Sequence, residues 1–165
     1  TDVKKEHDEA EELYRKAIEL DPKLALAYIC LANLLTDVKK DHAEAERMYR
    51  KAIELDPKNA SAHDNLAILL TDVKKDHAEA EKMYRKAIEL DPKYASAYNN
   101  LANLLTIVKK EHDEAERMYR KAIEVDPQKA MFYNNLALLY SKLGRTSDLE
   151  KLREEAAKNG VTLDP

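Results

Sequence analysis

The dipeptide Asp-Pro stands at 21–22, 56–57, 91–92 and 126–127, at an interval of 35 residues each time. Thr-x-Val-Lys-Lys begins at 1, 36, 71 and 106 in the same register, and a histidine follows at 7, 42, 77 and 112. Residues 36–70 and 71–105 differ at five places: Arg47/Lys82, Asn59/Tyr94, His63/Tyr98, Asp64/Asn99 and Ile68/Asn103. A period of this size belongs to solenoids and arrays, in which a unit buries its apolar face against its neighbours. The 165 residues are therefore not the makings of one compact core.

Each unit reads as two helices. Ala25, Tyr28, Leu31, Ala32 and Leu35 recur at three- and four-residue spacing, as do Ala60, His63, Leu66, Ala67 and Leu70, which is the periodicity of one helical face. Ala45, Met48, Tyr49, Ala52 and Ile53 mark the second helix. Asp41 with Glu44, and Asp76 with Glu79, have the spacing of a capping box opening that helix. Asp-Pro then stops it, because proline cannot continue the hydrogen-bond ladder and restricts the residue before it. Toward the C-terminus the pattern changes. Leu143-Gly144-Arg145 supplies a glycine turn, Ser147 with Glu150 is placed to cap a last helix, and Asn159-Gly160 to stop it.

Composition removes most other classes. Two glycines are too few for a phosphate-cradling loop or a turn-rich β sandwich, and one cysteine excludes an internal disulfide framework or a Cys-rich zinc module. A net charge of −4 gives no attraction to nucleic acid or anionic membrane. The longest nearly apolar stretch, Leu24 to Leu35, is too short to span a bilayer. The N-terminus is charged and has no leader-like apolar segment, so the chain reads as intracellular and cytoplasmic. It opens partway through a recurring motif without an initiator methionine, as an excerpt of something longer would.

The run Ala97-Tyr98-Asn99-Asn100-Leu101-Ala102-Asn103-Leu104-Leu105, followed by Asp113-Glu114-Ala115, Tyr119, Lys121-Ala122-Ile123-Glu124 and Asp126-Pro127, resembles the tetratricopeptide repeat. The resemblance covers nearly the whole chain. It implies an all-α, right-handed solenoid of stacked antiparallel hairpins. The divisions would be an orphan helix B at 1–20, hairpins at 24–55, 59–90 and 94–125, a divergent capping hairpin at 129–158, and a tail at 159–165. The period of 35 exceeds the usual 34 of the family, and the usual glycine between helices A and B is missing from three hairpins. The extra residue falls in the Val-Lys-Lys-Asp-His turn, where it lengthens helix A or its loop.

The family lines its concave face with helix A. Carried over, the groove residues include Leu26, Ile29 and Asn33 of the first hairpin, Asp64 and Asn65 of the second, Asn99, Asn100 and Asn103 of the third, and Asn134 and Asn135 of the last. Four of the five differences between the two closest units lie on or just before helix A, as they would on a scaffold with a tunable surface or under simple drift. Asn65, Asn100 and Asn135 would form a ladder, each carboxamide offering a donor and an acceptor to the backbone of an extended peptide. The alternative is that they bond to neighbouring helices or water. Cys30 interrupts the ladder in the first unit. The carboxylate clamp of the family fits less well, since Ile29, Ser96 and Asn100 stand where it has cations.

The expected function is thus a non-catalytic scaffold binding a peptide or protein segment, with no cofactor, metal or membrane. A self-assembling or engineered array is the second reading, because an orphan helix B leaves an apolar face open for end-to-end contact with another copy. A pentatricopeptide-like reader of single-stranded RNA is the third, and the acidic balance counts against it. His7, His42, His77 and His112 read as packing residues of the turn, His63 as a core substitution and Cys30 as an inert thiol.

Overall fold

The computed structural model describes residues 2–163, with side chains from residue 5 onward. Its helices are α1 (Asp2–Leu20), α2 (Ala25–Leu34), α3 (His42–Leu55), α4 (Ala60–Leu69), α5 (His77–Leu90), α6 (Ala95–Leu104), α7 (His112–Val125), α8 (Ala130–Lys142) and α9 (Thr146–Lys158). No strand occurs among the described residues, and the fold is an all-α array of helical hairpins. The chain divides into two compact units, Thr1–Leu90 and Asp91–Pro165. In the first, α1 to α5 pack each on the next. In the second, α6 to α9 do the same.

Each Asp-Pro break is built alike. Asp21, Asp56, Asp91 and Asp126 accept through Oδ1 from the backbone N–H two residues on, at 2.9–3.3 Å, an Asx turn that satisfies the chain as it leaves helix B. The helix A tyrosine then reaches back. Tyr28, Tyr98 and Tyr133 donate their hydroxyls to the carbonyls of Pro22, Pro92 and Pro127 at 3.1–3.3 Å. His63, which is buried, meets the Asn59 carbonyl through Nδ1 at 3.0 Å instead.

The extra residue of the period is absorbed by a π-helical turn. Leu35–Lys39, Leu70–Lys74 and Leu105–Lys109 end their helices A with wider hydrogen-bond spacing, the usual outcome of inserting one residue into an α-helix. The backbone N–H groups of Lys40 and Asp41 both reach the Leu35 carbonyl. The chain then reverses through Lys40, Lys75 and Lys110 in the left-handed region, at φ 58°, 58° and 61°. In the last hairpin Gly144 takes that conformation at φ 67°, α8 stays regular, and His112 to Thr146 spans 34 residues.

Helix B starts as its sequence suggests, with one change. Asp41 and Asp76 accept from the N–H of Glu44 and Glu79 at 3.0 and 3.1 Å. The glutamate carboxylates do not return to the cap as a reciprocal box requires. The Arg15 guanidinium takes Glu44 with two bonds of 3.0 and 2.9 Å, and Arg50 takes Glu79 at 2.8 and 3.0 Å. Consecutive helices B are thereby tied in register. Such exposed pairs add only about 0.2–1 kcal/mol each, so they set alignment more than stability. The expected Ser147–Glu150 cap does not form. Arg145 occupies the N-cap of α9, without a side-chain cap bond, and Ser147 lies inside the helix.

Alanine makes the core. Ala32, Ala45, Ala52, Ala62, Ala67, Ala80 and Ala87 of the first unit, and Ala97, Ala102, Ala115 and Ala122 of the second, are wholly buried. Tyr49, Tyr84 and Tyr119 fill the space between them. On α1 the equivalent Ala10, Tyr14 and Ala17 are only half-buried, and Leu13 and Leu20 are exposed. α9 is closed differently. Glu116 accepts from Tyr140 at 2.6 Å and from Arg145 at 2.5 Å, the Arg145 guanidinium lies 4.6 Å from the Tyr140 ring centroid, and Arg120 pairs with Glu155 at 2.5 Å.

A lysine in the left-handed region costs about 1–2 kcal/mol that glycine does not. Lys75→Gly should therefore raise Tm by about 2–4 °C in thermal unfolding, and an unchanged or lower Tm would refute the strain. Burial alone would raise the Glu116 carboxyl. The Arg145 guanidinium and the Tyr140 hydroxyl outweigh it and hold the group below its ordinary 4.5. Its contribution is present above that ordinary value and disappears as pH falls through the depressed one. Glu116→Gln should cost about 1–2 kcal/mol at pH 7 and clearly less at pH 3, as read by urea titration.

Candidate functional site

The polar side chains of helix A are drawn together in pairs. In the first unit the Asn33 carbonyl oxygen accepts from the Tyr49 hydroxyl at 2.7 Å and from the Asn65 amide at 3.1 Å. Asn33 lies on α2 and Asn65 on α4, so a carboxamide bridge joins two successive helices A. In the second unit Asn135 of α8 donates to Asn99 of α6 at 2.8 Å, and Asn99 approaches Asn100 at 3.5 Å. Asn103 accepts from the Tyr119 hydroxyl at 2.6 Å.

Burial keeps the phenols protonated, and therefore donors, at neutral pH. It pushes Tyr49 up to about 12, a shift that the Thr36 hydroxyl partly offsets, and moves Tyr84 and Tyr119 in the same direction. With Tyr49 donating to Asn33 and Tyr119 to Asn103, the oxygen of each carboxamide is turned toward its hydroxyl. From periodicity alone these tyrosines read only as packing residues. The available signal was that the helix B aromatic is tyrosine at 14, 49, 84 and 119 alike, and a buried hydroxyl needs a partner.

The expected groove residues separate into three sets. Asn33, Asn65, Asn100, Asn103, Asn134 and Asn135 are half-buried. Leu26 is 62% exposed and offers an isolated apolar contact. Ile29, Asp64 and Asn99 are buried, at 5%, 2% and 1%, and do not form an open lining. For two of them the cause is visible. Ile29 packs with Tyr28 and Ala52 against Ala62 of α4, and Asn99 lies under the Asn135 amide. The same position on α8, Asn134, borders an open pocket instead, with Asn135, Ala137, Leu138, Ser141, Leu149 and Arg153.

Nδ1 of His42, His77 and His112 is buried without a hydrogen-bond partner, in keeping with packing. Among the described residues no group of three or more His, Cys, Asp or Glu side chains is arranged to hold a metal. Cys30 is a free thiol of intermediate burial. None of the described helices is long and apolar enough to cross a membrane.

Family profiles described as tetratricopeptide repeat match residues 23–93 and 59–128, 118–150, and 4–24. No curated protein sequence matches. Among solved structures the chain is similar to MamA, with 25% identity and a TM-score of 0.80 over 96% of this chain and 91% of that one. It is similar in fold to the pilF protein of Pseudomonas aeruginosa, with 22% identity and a TM-score of 0.78 over 94% and 79% of the two chains. YrrB, described as a TPR protein with an unusual peptide-binding site, has 24% identity and a TM-score of 0.70 over 96% and 80%. The repeated hairpins, the alanine–tyrosine packing and the sequence profiles agree: the chain belongs to the tetratricopeptide-repeat family, whose members are generally scaffolds for protein interaction.

Proposed function

We propose that the chain is a non-catalytic scaffold whose helix A faces hold an extended peptide or protein segment through the backbone. The observation that supports this reading is the pair of carboxamide bridges, Asn65 to Asn33 and Asn135 to Asn99. Each uses one donor of the bridging amide and leaves its carbonyl oxygen and second N–H for other partners. An extended peptide presents the complementary pattern, an N–H and a C=O at every residue. Contacts of that kind are indifferent to the peptide's side chains.

Asn33, Asn65, Asn100, Asn103, Asn134 and Asn135 are the contacting set in this proposal. Ile29, Asp64 and Asn99 are buried and make no direct contact in this proposal, and Asn99 acts by holding Asn135. Leu26 supplies apolar contact for a side chain of the bound segment. Preorganisation matters here, because a side chain already fixed by Tyr49 or Asn99 loses little freedom when a ligand arrives. YrrB carries a peptide-binding site on the same fold, which makes the assignment a natural use of this scaffold.

A display library of unstructured peptides of about a dozen residues, kept short to limit ordering costs, supplies ligands for calorimetry. Asn65→Ala, Asn100→Ala and Asn135→Ala combined should weaken a selected peptide by about tenfold or more, since each lost hydrogen bond is worth about 0.5–1.5 kcal/mol. Unaltered affinity in the triple variant would remove the carboxamide row from the site.

A further inference from the structure

Of the nine asparagines in the chain, only Asn159 precedes a glycine; the others precede Ala, Leu or Asn. The backbone nitrogen that follows an asparagine can attack the side-chain carbonyl carbon and close a succinimide ring. A following glycine has no Cβ to hinder that approach and lets the chain rotate freely. Asn159 and Gly160 are both exposed, so the water that completes the reaction is at hand.

The folded α8–α9 hairpin holds this chemistry off. Ring closure requires rotation about the Cα–C bond of Asn159 until the Gly160 nitrogen eclipses Cβ. At ψ 8° it eclipses the Asn159 nitrogen instead. The Gly160 N–H donates to the Ala157 carbonyl at 3.1 Å, and the N–H of the buried Val161 to the Ala156 carbonyl at 2.9 Å. The Asn159 amide is held as well. It donates to the Tyr133 hydroxyl at 2.9 Å and to the Glu155 carbonyl at 3.1 Å. Tyr133 is wholly buried and passes its own proton to the Pro127 carbonyl at 3.1 Å. A line of hydrogen bonds thus ties the end of α9 to the start of α8.

We propose that Asn159 is a deamidation site latched by Tyr133, protected while the hairpin is closed and modified when the end of α9 opens. Helix ends open locally more often than a domain unfolds. In the open form the Gly160 nitrogen gives its proton to water or hydroxide and bonds to Cγ of Asn159. The Cγ–Nδ2 bond breaks and ammonia leaves. Water then adds to either carbonyl of the ring, which opens to an aspartate or an isoaspartate at position 159. The latch does not re-form. A carboxylate has no proton to donate to Tyr133 or to the Glu155 carbonyl, and it opposes the dipole at the C-terminal end of α9. The isoaspartate also adds a methylene to the backbone, which shifts Gly160 and Val161 off their acceptors.

The test incubates the full chain at mildly alkaline pH in isotope-labelled water and follows position 159 by peptide mapping and mass spectrometry. A synthetic peptide of residues 156–163 gives the unlatched rate. The full chain should react more slowly than the peptide by about tenfold or more, the protection that local closure confers. Tyr133→Phe, which keeps the ring and removes the acceptor, should speed the reaction in the full chain by about two- to tenfold, the worth of one hydrogen bond. Should that variant fold poorly, urea below the unfolding midpoint serves the same purpose, accelerating the full chain and not the peptide. Hydrogen exchange at residues 156–161 should be faster in the deamidated chain than in fresh protein. Equal rates in chain and peptide, or a folded Tyr133→Phe variant that reacts no faster, would overturn the proposal. So would hydrogen exchange unchanged by the modification.

Discussion

The fold depends on the close approach of helix backbones over alanine. The helices α2 to α9, of 10 to 14 residues, are marginal alone in water because nucleating a helix is costly, and they become stable between neighbours. Ala32, Ala45 and Ala52 in one hairpin, and Ala67, Ala80 and Ala87 in the next, are wholly buried because two helices meet over their methyl groups. A larger side chain there would push the helices apart and open voids around Tyr49 and Tyr84, and overpacking of that kind costs about 1–3 kcal/mol. Alanine does this without the conformational freedom that glycine would lose on folding.

Once the spacing is set this way, everything else repeats with it. The carboxamides of helix A come within hydrogen-bonding distance of the preceding helix A because the helices between them are packed so tightly. The guanidinium of one helix B reaches the first turn of the next for the same reason. A side chain is thus used twice, once for its own hairpin and once for its neighbour: Asn33 receives Tyr49 from within and Asn65 from beyond. The recognition surface proposed for the chain is a by-product of the way the array holds together.

Much of this was legible in the sequence. The period, the two stripes, the Asp-Pro stops and the helix B caps at Asp41 and Asp76 follow from local chemistry, and the structure has them. What was not legible depends on a neighbour or on hydrogen-bond register. A π-turn at Leu35–Lys39 and a longer loop look alike in sequence, because both add one residue. Glu44 has the spacing of a capping box, yet Arg15, 29 residues away, offers its carboxylate a charged partner that the local backbone cannot match. Ile29, Asp64 and Asn99 fall outside the stripe of a single helix. The array covers them nonetheless, and the stripe of a helix with two neighbours is wider than that of a helix with one. Arg145, pinned by Glu116 and Asp148, takes the cap position for which Ser147 looked better suited.

If stability resides between hairpins, it must depend on their number. The direct measurement is urea unfolding of the chain with residues 36–70 excised, a cut of one exact period that joins Leu35 to Thr71 as Leu70 is joined to it now. The account predicts a folded protein of similar helicity per residue, with a lower midpoint and a smaller m-value than the intact chain. A midpoint unchanged by the excision would mean that each hairpin is stable on its own, and would contradict it.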